Sequence, residues 1–440
     1  MIPKLTDEPG ALETASAIRS GAISPLEAVD AAIARIEALD GPINAVVVRD
    51  FDRARDAAKA LDGVEPGDDQ PLFGVPMTIK EAFDIAGLPT TWGLVEHKNY
   101  VAERDAVVVQ RLKRAGAIFV GKTNVPPHLS DWQSFNPIYG RTANPHDHAR
   151  SPGGSSGGSA AALASGMVAA EFGSDIGGSV RVPAHFCGVW GHKVTWGAID
   201  GFGHNPPGTD GHNLALGVVG PLARNGADLA ALLDLTLDTP RALAAKPLDQ
   251  SRFLLQTEHP LVPTDTALAA ALETVAAELE KAGAQLDRSS ELLPDLARQH
   301  EFYLPMLITA MSPQGLLPDG APARLTDWFG FLDAQARNER AWAGLFEHYD
   351  FVLAPPYPTP AFQHDERVPD ERPLAINGVD HPALLGLCWP GAATFPELPS
   401  TVLPIGESGG LPVGMQVVGP AWSDRDCVAT ATSIGELIGS

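Results

Sequence analysis

The chain has 440 residues, of which 44% are hydrophobic and 19% charged, so it can bury the core of one large α/β domain or of two to three smaller ones. Its net charge of −23 repels phosphate, which argues against nucleic acid or an anionic membrane surface as a partner. The absence of a long apolar run excludes a spanning helix, and the opening residues lack the pattern of a secretory signal. The three cysteines, Cys187, Cys388 and Cys427, are widely spaced, which excludes a disulfide framework and predicts a cytoplasmic protein.

The first strong element is an amphipathic helix over residues 24–41. Ser24 is a candidate N-cap, Pro25 takes the first helical position, Glu27 completes a capping box, and Gly41 is expected to end the helix. Apolar residues recur every three to four positions, which predicts one buried face. That face comprises Leu26, Val29, Ile33, Ile36 and Leu39.

The chain then alternates between strands and helices. The pattern predicts a strand at 43–48, an exposed helix at 50–63, a buried strand at 72–80 that ends at Lys80, and a helix at 105–116. Alternation at this spacing predicts a twisted, mixed and largely parallel β-sheet covered by helices on both faces, an α/β fold.

Residues 116–123, GAIFVGKT, satisfy the P-loop pattern, in which backbone N–H groups surround nucleotide phosphates. In a P-loop the strand precedes the first glycine, and the residues after that glycine form an exposed loop. Here residues 117–120 are Ala, Ile, Phe and Val, which are typical of a strand interior. We therefore interpret the segment as a buried strand, and a nucleotide-binding protein that uses Lys122 is kept as an alternative.

The second half of the chain is mostly helical. Helical patterns cover residues 225–237, 265–286 and 425–440. Residues 349–356 indicate a strand followed by a turn, and residues 398–420 indicate two strands joined by a glycine turn. We find no repeat and no linker, so one domain over 1–440 is expected. Its parts are an N-terminal helical segment (about 1–65), a catalytic core (about 66–225) and the remaining core and pocket segments (226–440).

Two glycine-flanked serine clusters, GGSSGG and IGGSVR, lie within residues 151–188 and are separated by a small-residue helix. Glycine beside serine permits close approach of a substrate, and successive N–H groups in such a turn can form an oxyanion hole. The block therefore predicts a catalytic site with a serine nucleophile.

One catalytic arrangement for this block is the nucleophile elbow, G-x-S-x-G, which residues 153–157 match with Ser155 as the nucleophile and a distant Asp and His. An elbow directly follows a strand, whereas the preceding residues HDHARSP are polar and contain Pro152. His146 and His148 in that segment are interpreted as loop residues rather than ligands, and no metal or cofactor site is predicted.

The other arrangement is a Ser–Ser–Lys set, and the residues that carry it resemble the amidase signature family. The similar segments are SPGGSSGGSAAALASG, SDIGGSVRVPAHFCGVWGHK, GVPMTIKEAFDIAG, GAIFVGKTNVP and GLPVGMQVVGP. The resemblance extends from about residue 20 to the end of the chain. It also implies that GAIFVGKT is scaffold beside the site.

This resemblance implies that Ser179 is the nucleophile, Ser155 a bridging serine after a cis Gly154–Ser155 peptide bond, and Lys80 the base. The N–H groups that match the family's oxyanion hole are those of Ile176, Gly177, Gly178 and Ser179. Lysine can act as a base near pH 7 only if its pKa falls by about 3 units from ~10.4, and the end of a buried strand supplies that desolvation.

Four further residues are candidates for support of the site. Asp175 and Arg181 flank the nucleophile loop and are expected to pair across it, which would fix the glycine turn. Ser156 and Asn124 are candidates for hydrogen bonds near the site, with a purely structural role as the alternative.

The predicted function is hydrolysis of small aryl or alkyl amides through an acyl-enzyme. Residues 301–334 bring aromatic and aliphatic side chains together, either as an apolar substrate pocket or as helix core. Residues 196–213 depart from the family pattern at a place where family loops line the substrate entrance. The glutaminase subunit of a tRNA-dependent amidotransferase is an alternative, although the acidic charge counts against it. A homodimer through the N-terminal helices is implied by the resemblance alone.

Overall fold

The computed structural model describes residues 6–211 and 213–439. Residues 1–5 of the predicted N-terminal segment, His212 of the segment 196–213 and Ser440 lie outside this description. The α-helices of the described residues are α1 (Ala11–Arg19), α2 (Pro25–Ile43), α3 (Phe51–Ala60), α4 (Val107–Arg114), α5 (Gly157–Ala164), α6 (Arg181–Cys187), α7 (Gly226–Thr236), α8 (Thr266–Lys281), α9 (Leu296–Met311), α10 (Leu325–Leu345), α11 (Cys388–Thr394) and α12 (Asp424–Ile438).

The β-strands of the described residues alternate with these helices along the chain. They are β1 (Val46–Arg49), β2 (Pro76–Lys80), β3 (Ile118–Thr123), β4 (Phe135–Asn136), β5 (Gly140–Arg141), β6 (Ala170–Asp175), β7 (Trp190–Lys193), β8 (Val218–Ala223), β9 (Arg252–Leu255), β10 (Gln285–Asp287), β11 (Phe351–Ala354), β12 (Pro373–Ile376), β13 (Val379–Pro382), β14 (Ser400–Ser408) and β15 (Leu411–Val418).

The main sheet has eight strands in the order β10-β9-β11-β15-β14-β7-β8-β6, and helices such as α6 and α12 pack against it. This confirms the predicted α/β fold with a mixed sheet. The prediction of a largely parallel sheet is wrong, because only β10–β9 and β9–β11 are parallel and the other five pairs of described strands are antiparallel. The strands β14 and β15 form a hairpin across Gly409 and Gly410, and a hairpin makes its two strands antiparallel.

A second sheet of three strands, in the order β1-β3-β2, brings Lys80 to the main sheet. Strand β2 runs parallel to β3, with Lys80 opposite Thr123. Its other side faces β6, where the Thr78 hydroxyl donates a hydrogen bond of 2.5 Å to Glu171. The last residue of β2 therefore lies beside the edge strand of the main sheet.

The P-loop-like segment is part of β3, as the composition of its central residues predicts. Gly121, Lys122 and Thr123 all lie within the strand and are buried. The Lys122 ammonium donates to the carbonyl of Pro89 and to the Thr90 hydroxyl at 2.9 Å. Because these residues are strand interior, they form no loop around a phosphate.

Helix α2 begins as predicted and ends later. The Ser24 hydroxyl accepts from the Glu27 N–H at 3.1 Å, and the Ser24 N–H donates to the Glu27 carboxylate at 2.7 Å, which completes the capping box. The helix continues through Gly41 and ends where Asn44 takes the left-handed conformation with φ of 58°. Leu39 is 39% exposed and is not part of the buried face.

Candidate active site

Lys80 lies at the end of β2 and contacts two serine hydroxyls. Its Nζ is 2.7 Å from Ser155 Oγ and 2.8 Å from Ser174 Oγ, and the side chain is fully buried. Burial lowers the pKa of Lys80 to about 7, although the carboxylates of Asp175 and Glu171 act in the opposite direction. A substantial fraction of this amine is therefore uncharged near neutral pH.

Ser155 follows a cis peptide bond, Gly154–Ser155, as the resemblance implies. The backbone here approaches the segment 131–133 so closely that a Cβ on Gly154 would lie 2.3 Å from the Asp131 carbonyl oxygen. Only glycine fits at this position. Ser155 itself is buried and faces Lys80.

Ser179 follows β6 in the second serine cluster and lines a cavity of about 1240 Å³. Among the described residues its hydroxyl has no hydrogen-bond partner. Ser156 joins the two serine clusters, because its N–H donates to the Ser179 carbonyl at 3.1 Å and its hydroxyl lies 3.4 Å from the Ser174 carbonyl. The fold thus places the Ser179 residue at the cavity and links its backbone to the first serine cluster, whose Ser155 contacts Lys80.

The loop that carries Ser179 is fixed by the predicted Asp175–Arg181 ion pair. Arg181 donates to both carboxylate oxygens of Asp175, at 2.9 Å and 3.0 Å, and both side chains are fully buried. The same carboxylate accepts the N–H groups of Gly178 at 2.9 Å and Val180 at 3.1 Å. Burial alone raises the pKa of Asp175, but Arg181 outweighs it and the pKa is about 2.

This carboxylate changes the predicted oxyanion hole. The Gly178 N–H already donates to Asp175 at 2.9 Å, so we leave it out of the donors proposed for a substrate oxygen. The N–H groups of Ile176, Gly177 and Ser179 have no hydrogen-bond partner among the described residues. Ile176, Gly177 and Ser179 also line the cavity.

Sequence reasoning missed three residues at this site. Ser174, the second partner of Lys80, is a polar residue in a buried strand directly before Asp175, and that position could have marked it. Trp132 donates to the Gly177 carbonyl and Tyr303 to the Ile176 carbonyl, each at 2.9 Å. Both come from segments distant in the chain, and no local motif marks either of them.

The nucleophile-elbow alternative lacks its required setting. The described residues 151–156 form an irregular segment rather than a strand. The buried His192–Asp424 pair, 3.2 Å apart, faces the Thr401 hydroxyl. No histidine in the described ranges hydrogen-bonds to Ser155.

The remaining candidates near the site have structural contacts. Asn124 donates to the Thr142 hydroxyl at 3.0 Å and accepts from Asn136 at 2.8 Å, which orders the loop after β3. The His146 ring lies 3.0 Å from the Cys187 carbonyl. His148 is an exposed loop residue.

The wall of the cavity combines an apolar helix with paired charges. From the segment 301–334, the C-terminal part of α9 lines the cavity, whereas α10 exposes Leu325 and Phe329 instead. The α9 residues are Leu304, Leu307, Ile308 and Met311. Two cationic side chains reach the wall, and each has an acidic partner: Arg372 with Asp131 at 2.7 Å, and Arg150 with Asp147 at 3.1 Å.

The described part of the segment 196–213 does not line the cavity, contrary to the expectation from the family. It packs on the turn after β2 instead. The Gly203 carbonyl accepts the Asp84 N–H at 2.8 Å, and the His204 ring lies 4.7 Å from the Phe83 ring. The departure from the family pattern therefore affects the surroundings of Lys80 rather than the cavity entrance.

The described ranges show no metal cluster, no membrane-spanning helix and no disulfide bond. They contain no group of three or more His, Cys, Asp or Glu residues that could hold a metal ion. No described helix is long and apolar enough to cross a membrane. All three cysteines, Cys187, Cys388 and Cys427, are free and buried.

Comparison with known proteins assigns the chain to a family. A family model described as Amidase matches residues 27–316 and 321–428. The chain belongs to the amidase signature family. Indoleacetamide hydrolase from Bradyrhizobium diazoefficiens is 33% identical to this amidase over an alignment of 463 positions, which covers 98% of this chain and 86% of that protein.

Two further relatives span almost the whole amidase chain. One subunit of glutamyl-tRNA(Gln) amidotransferase from Deinococcus radiodurans is 30% identical, and the alignment covers 98% of this chain and 97% of that protein. The solved structure of 6-aminohexanoate cyclic dimer hydrolase complexed with substrate is 26% identical, with a TM-score of 0.83 and coverage of 98% and 97%. The chain is accordingly a hydrolase of amide C–N bonds.

Proposed function

We propose that this amidase hydrolyses small aryl or alkyl amides through a Ser179–Ser155–Lys80 relay. The observation that carries the proposal is the 2.7 Å contact between the Ser155 hydroxyl and the buried Lys80 amine, whose pKa burial lowers to about 7. A serine hydroxyl attacks an amide only when a base removes its proton, and neutral Lys80 is that base.

The relay accounts for both halves of the reaction. Ser179 Oγ attacks the amide carbonyl carbon while its proton passes to Ser155 and the Ser155 proton passes to Lys80. The C–N bond then breaks, the amine leaves with the proton returned by the same route, and an ester to Ser179 remains. Water, deprotonated by the relay, attacks this ester and releases the acid. The N–H groups of Ile176, Gly177 and Ser179 stabilise the oxyanion.

The cavity favours a neutral substrate with an apolar acyl group. Its volume of about 1240 Å³ and the α9 side chains along its wall suit an aryl or alkyl substituent. Arg150 and Arg372 each pair with a carboxylate of this chain, so acidic partners offset the positive charge at the cavity wall.

Labelling with a fluorophosphonate tests the choice of nucleophile. We expect the adduct on Ser179, identified by peptide mass spectrometry, and no adduct in Ser179→Ala. An adduct on Ser155 in the wild type, with activity that depends on one histidine, would support the elbow arrangement and contradict the proposal.

Ser174→Ala tests the second contact of the base. The variant removes the acceptor that holds the neutral Lys80 amine in place, so we expect kcat to fall about tenfold, the scale of one lost hydrogen bond. Ser174→Thr keeps a hydroxyl and should retain most of the activity. Equal kcat values for Ser174→Ala and the wild type would show that this contact does not orient the base.

The alternative is the glutaminase subunit of a tRNA-dependent amidotransferase, which the 30% identical relative keeps open. The two functions differ in what the chain does alone. The proposed amidase should hydrolyse aryl or alkyl amides without partners, whereas a glutaminase subunit would release ammonia from glutamine only after partner subunits are added.

We also infer a cytoplasmic location and a homodimer. The three free, buried cysteines fit a reducing compartment. The homodimer is supported by the family resemblance alone. Light scattering coupled to size-exclusion chromatography gives the oligomeric state directly.

A further inference from the structure

The loop between β6 and Ser179 is held by two side chains that donate to successive carbonyls. The Tyr303 hydroxyl donates to the Ile176 carbonyl, and the Trp132 indole N–H donates to the Gly177 carbonyl, each at 2.9 Å. Tyr303 lies on α9, and Trp132 lies in the segment before the first serine cluster. Two elements outside the loop therefore control the orientation of its peptide planes.

The two peptide planes differ in how completely they are held. A peptide bond is planar, and in its trans form the C=O and N–H groups point in opposite directions. The Gly177–Gly178 plane is fixed at both ends, by Trp132 at the carbonyl and by Asp175 at the N–H. The Ile176–Gly177 plane is fixed only at its carbonyl end, by Tyr303, and among the described residues the Gly177 N–H has no partner.

Tyr303 is itself held rigidly. Its side chain is fully buried, and a Cβ on Gly391 would lie 2.6 Å from two of its ring carbons. Burial raises the pKa of the Tyr303 phenol, so the hydroxyl stays protonated and can donate near neutral pH. The neighbouring residues Leu304 and Leu307 line the cavity. One helix thus forms the cavity wall and anchors the loop.

We propose that Tyr303 is a positioning residue of the oxyanion hole. By donating to the Ile176 carbonyl it turns the opposite end of the same peptide plane, the Gly177 N–H, toward the substrate carbonyl oxygen. This inference rests on the proposed function. It also links the apolar wall to catalysis, because any shift of α9 by a bound acyl group also moves the anchor of this N–H.

Tyr303→Phe tests the inference, since it keeps the ring packing and deletes only the donor. Removal of a whole oxyanion-hole donor costs about 10²–10³ in kcat, so its misorientation should lower kcat about 10- to 100-fold. KM should stay within about twofold, because the ground-state carbonyl gains less than the oxyanion from this N–H. Inhibition by a trifluoromethyl ketone, whose serine adduct carries an oxyanion, should weaken by the same factor as kcat.

Trp132→Phe is the matched comparison. It deletes a donor from the neighbouring plane, which Asp175 still holds, so its kcat should fall by less than about threefold, while KM changes because Trp132 lines the cavity. Thermal unfolding confirms that both variants are folded.

The outcomes separate the inference from the proposed function. If Tyr303→Phe keeps wild-type kcat and ketone affinity while Ser179→Ala is inactive, the inference is overturned and the proposed function stands. A Tyr303→Phe variant with raised KM and unchanged kcat would likewise overturn it, because that result is a pocket effect. If Ser179→Ala keeps its activity, the proposed function fails and this inference fails with it.

Discussion

Replacement of Lys80 by methionine is expected to lower kcat/KM for an aryl amide by about 10³-fold or more, because the relay then has no base. Methionine has a similar length and no charge, so a fully buried site should accept it without loss of the fold. Steady-state kinetics give the activity, and circular dichroism with thermal unfolding gives the folded state. A folded Lys80→Met variant with more than about a tenth of wild-type activity would contradict the proposed mechanism.

The pH dependence of the wild type follows from the same group. Protonated Lys80 cannot accept a proton, and its pKa is about 7, so kcat/KM should rise with pH through 7 and level off above it. Below this pKa, activity should fall about tenfold per pH unit. An acid limb close to the ordinary lysine pKa would show that burial does not neutralise this amine.

Lys122 provides a matched control for this pH profile. It is also fully buried, and burial lowers its pKa to about 8, but its contacts are with Pro89 and Thr90 rather than with a serine cluster. We expect Lys122→Met to lower thermal stability, because Glu81 loses a buried counter-charge. The acid limb of the kcat/KM profile should stay near pH 7 in this variant. Magnesium-dependent ATP binding that Lys122→Met abolishes would instead revive the nucleotide-binding alternative.

The lysine and serines of the proposed relay could be predicted from the sequence because the segments that hold them resemble the amidase signature family. Local patterns support the same residues, since Lys80 ends a buried apolar run and Ser155 and Ser179 stand within glycine-rich clusters. Ser174 and Tyr303 act through contacts between segments that are distant in the chain. No periodicity predicts which hydroxyl will reach Lys80 Nζ or the Ile176 carbonyl.

The proposed oxyanion hole shows a different limit of sequence reasoning. The glycine turn predicts several N–H groups pointing in one direction, but which of them remain unpaired depends on where the Asp175 carboxylate lies. The sheet shows the same limit on a larger scale. Alternation of strands and helices predicts an α/β fold, whereas strand direction depends on connections such as the β14–β15 hairpin.

The largest effect on stability is expected for Arg181→Met. The variant leaves Asp175 buried without its counter-charge, and breaking such a pair costs about 3–5 kcal/mol of the free energy of unfolding. It also removes donors to the Pro390 carbonyl at 3.0 Å, the Gln416 amide oxygen at 3.1 Å and the Thr394 hydroxyl at 2.8 Å. Urea unfolding of the wild type and the variant measures the difference.

A double-mutant cycle with Asp175→Asn separates the ion pair from the other contacts. Asparagine has nearly the same shape as aspartate and no charge, so the Arg181→Met/Asp175→Asn protein no longer contains an isolated buried carboxylate. We therefore expect the double variant to be destabilised by less than the sum of the two single variants, with a coupling energy of about 1–3 kcal/mol. Additive effects would show that Asp175 and Arg181 stabilise the fold independently. In that case the Gly178 and Val180 N–H groups, rather than the guanidinium, would be the partners that keep the Asp175 carboxylate in place beneath Ser179.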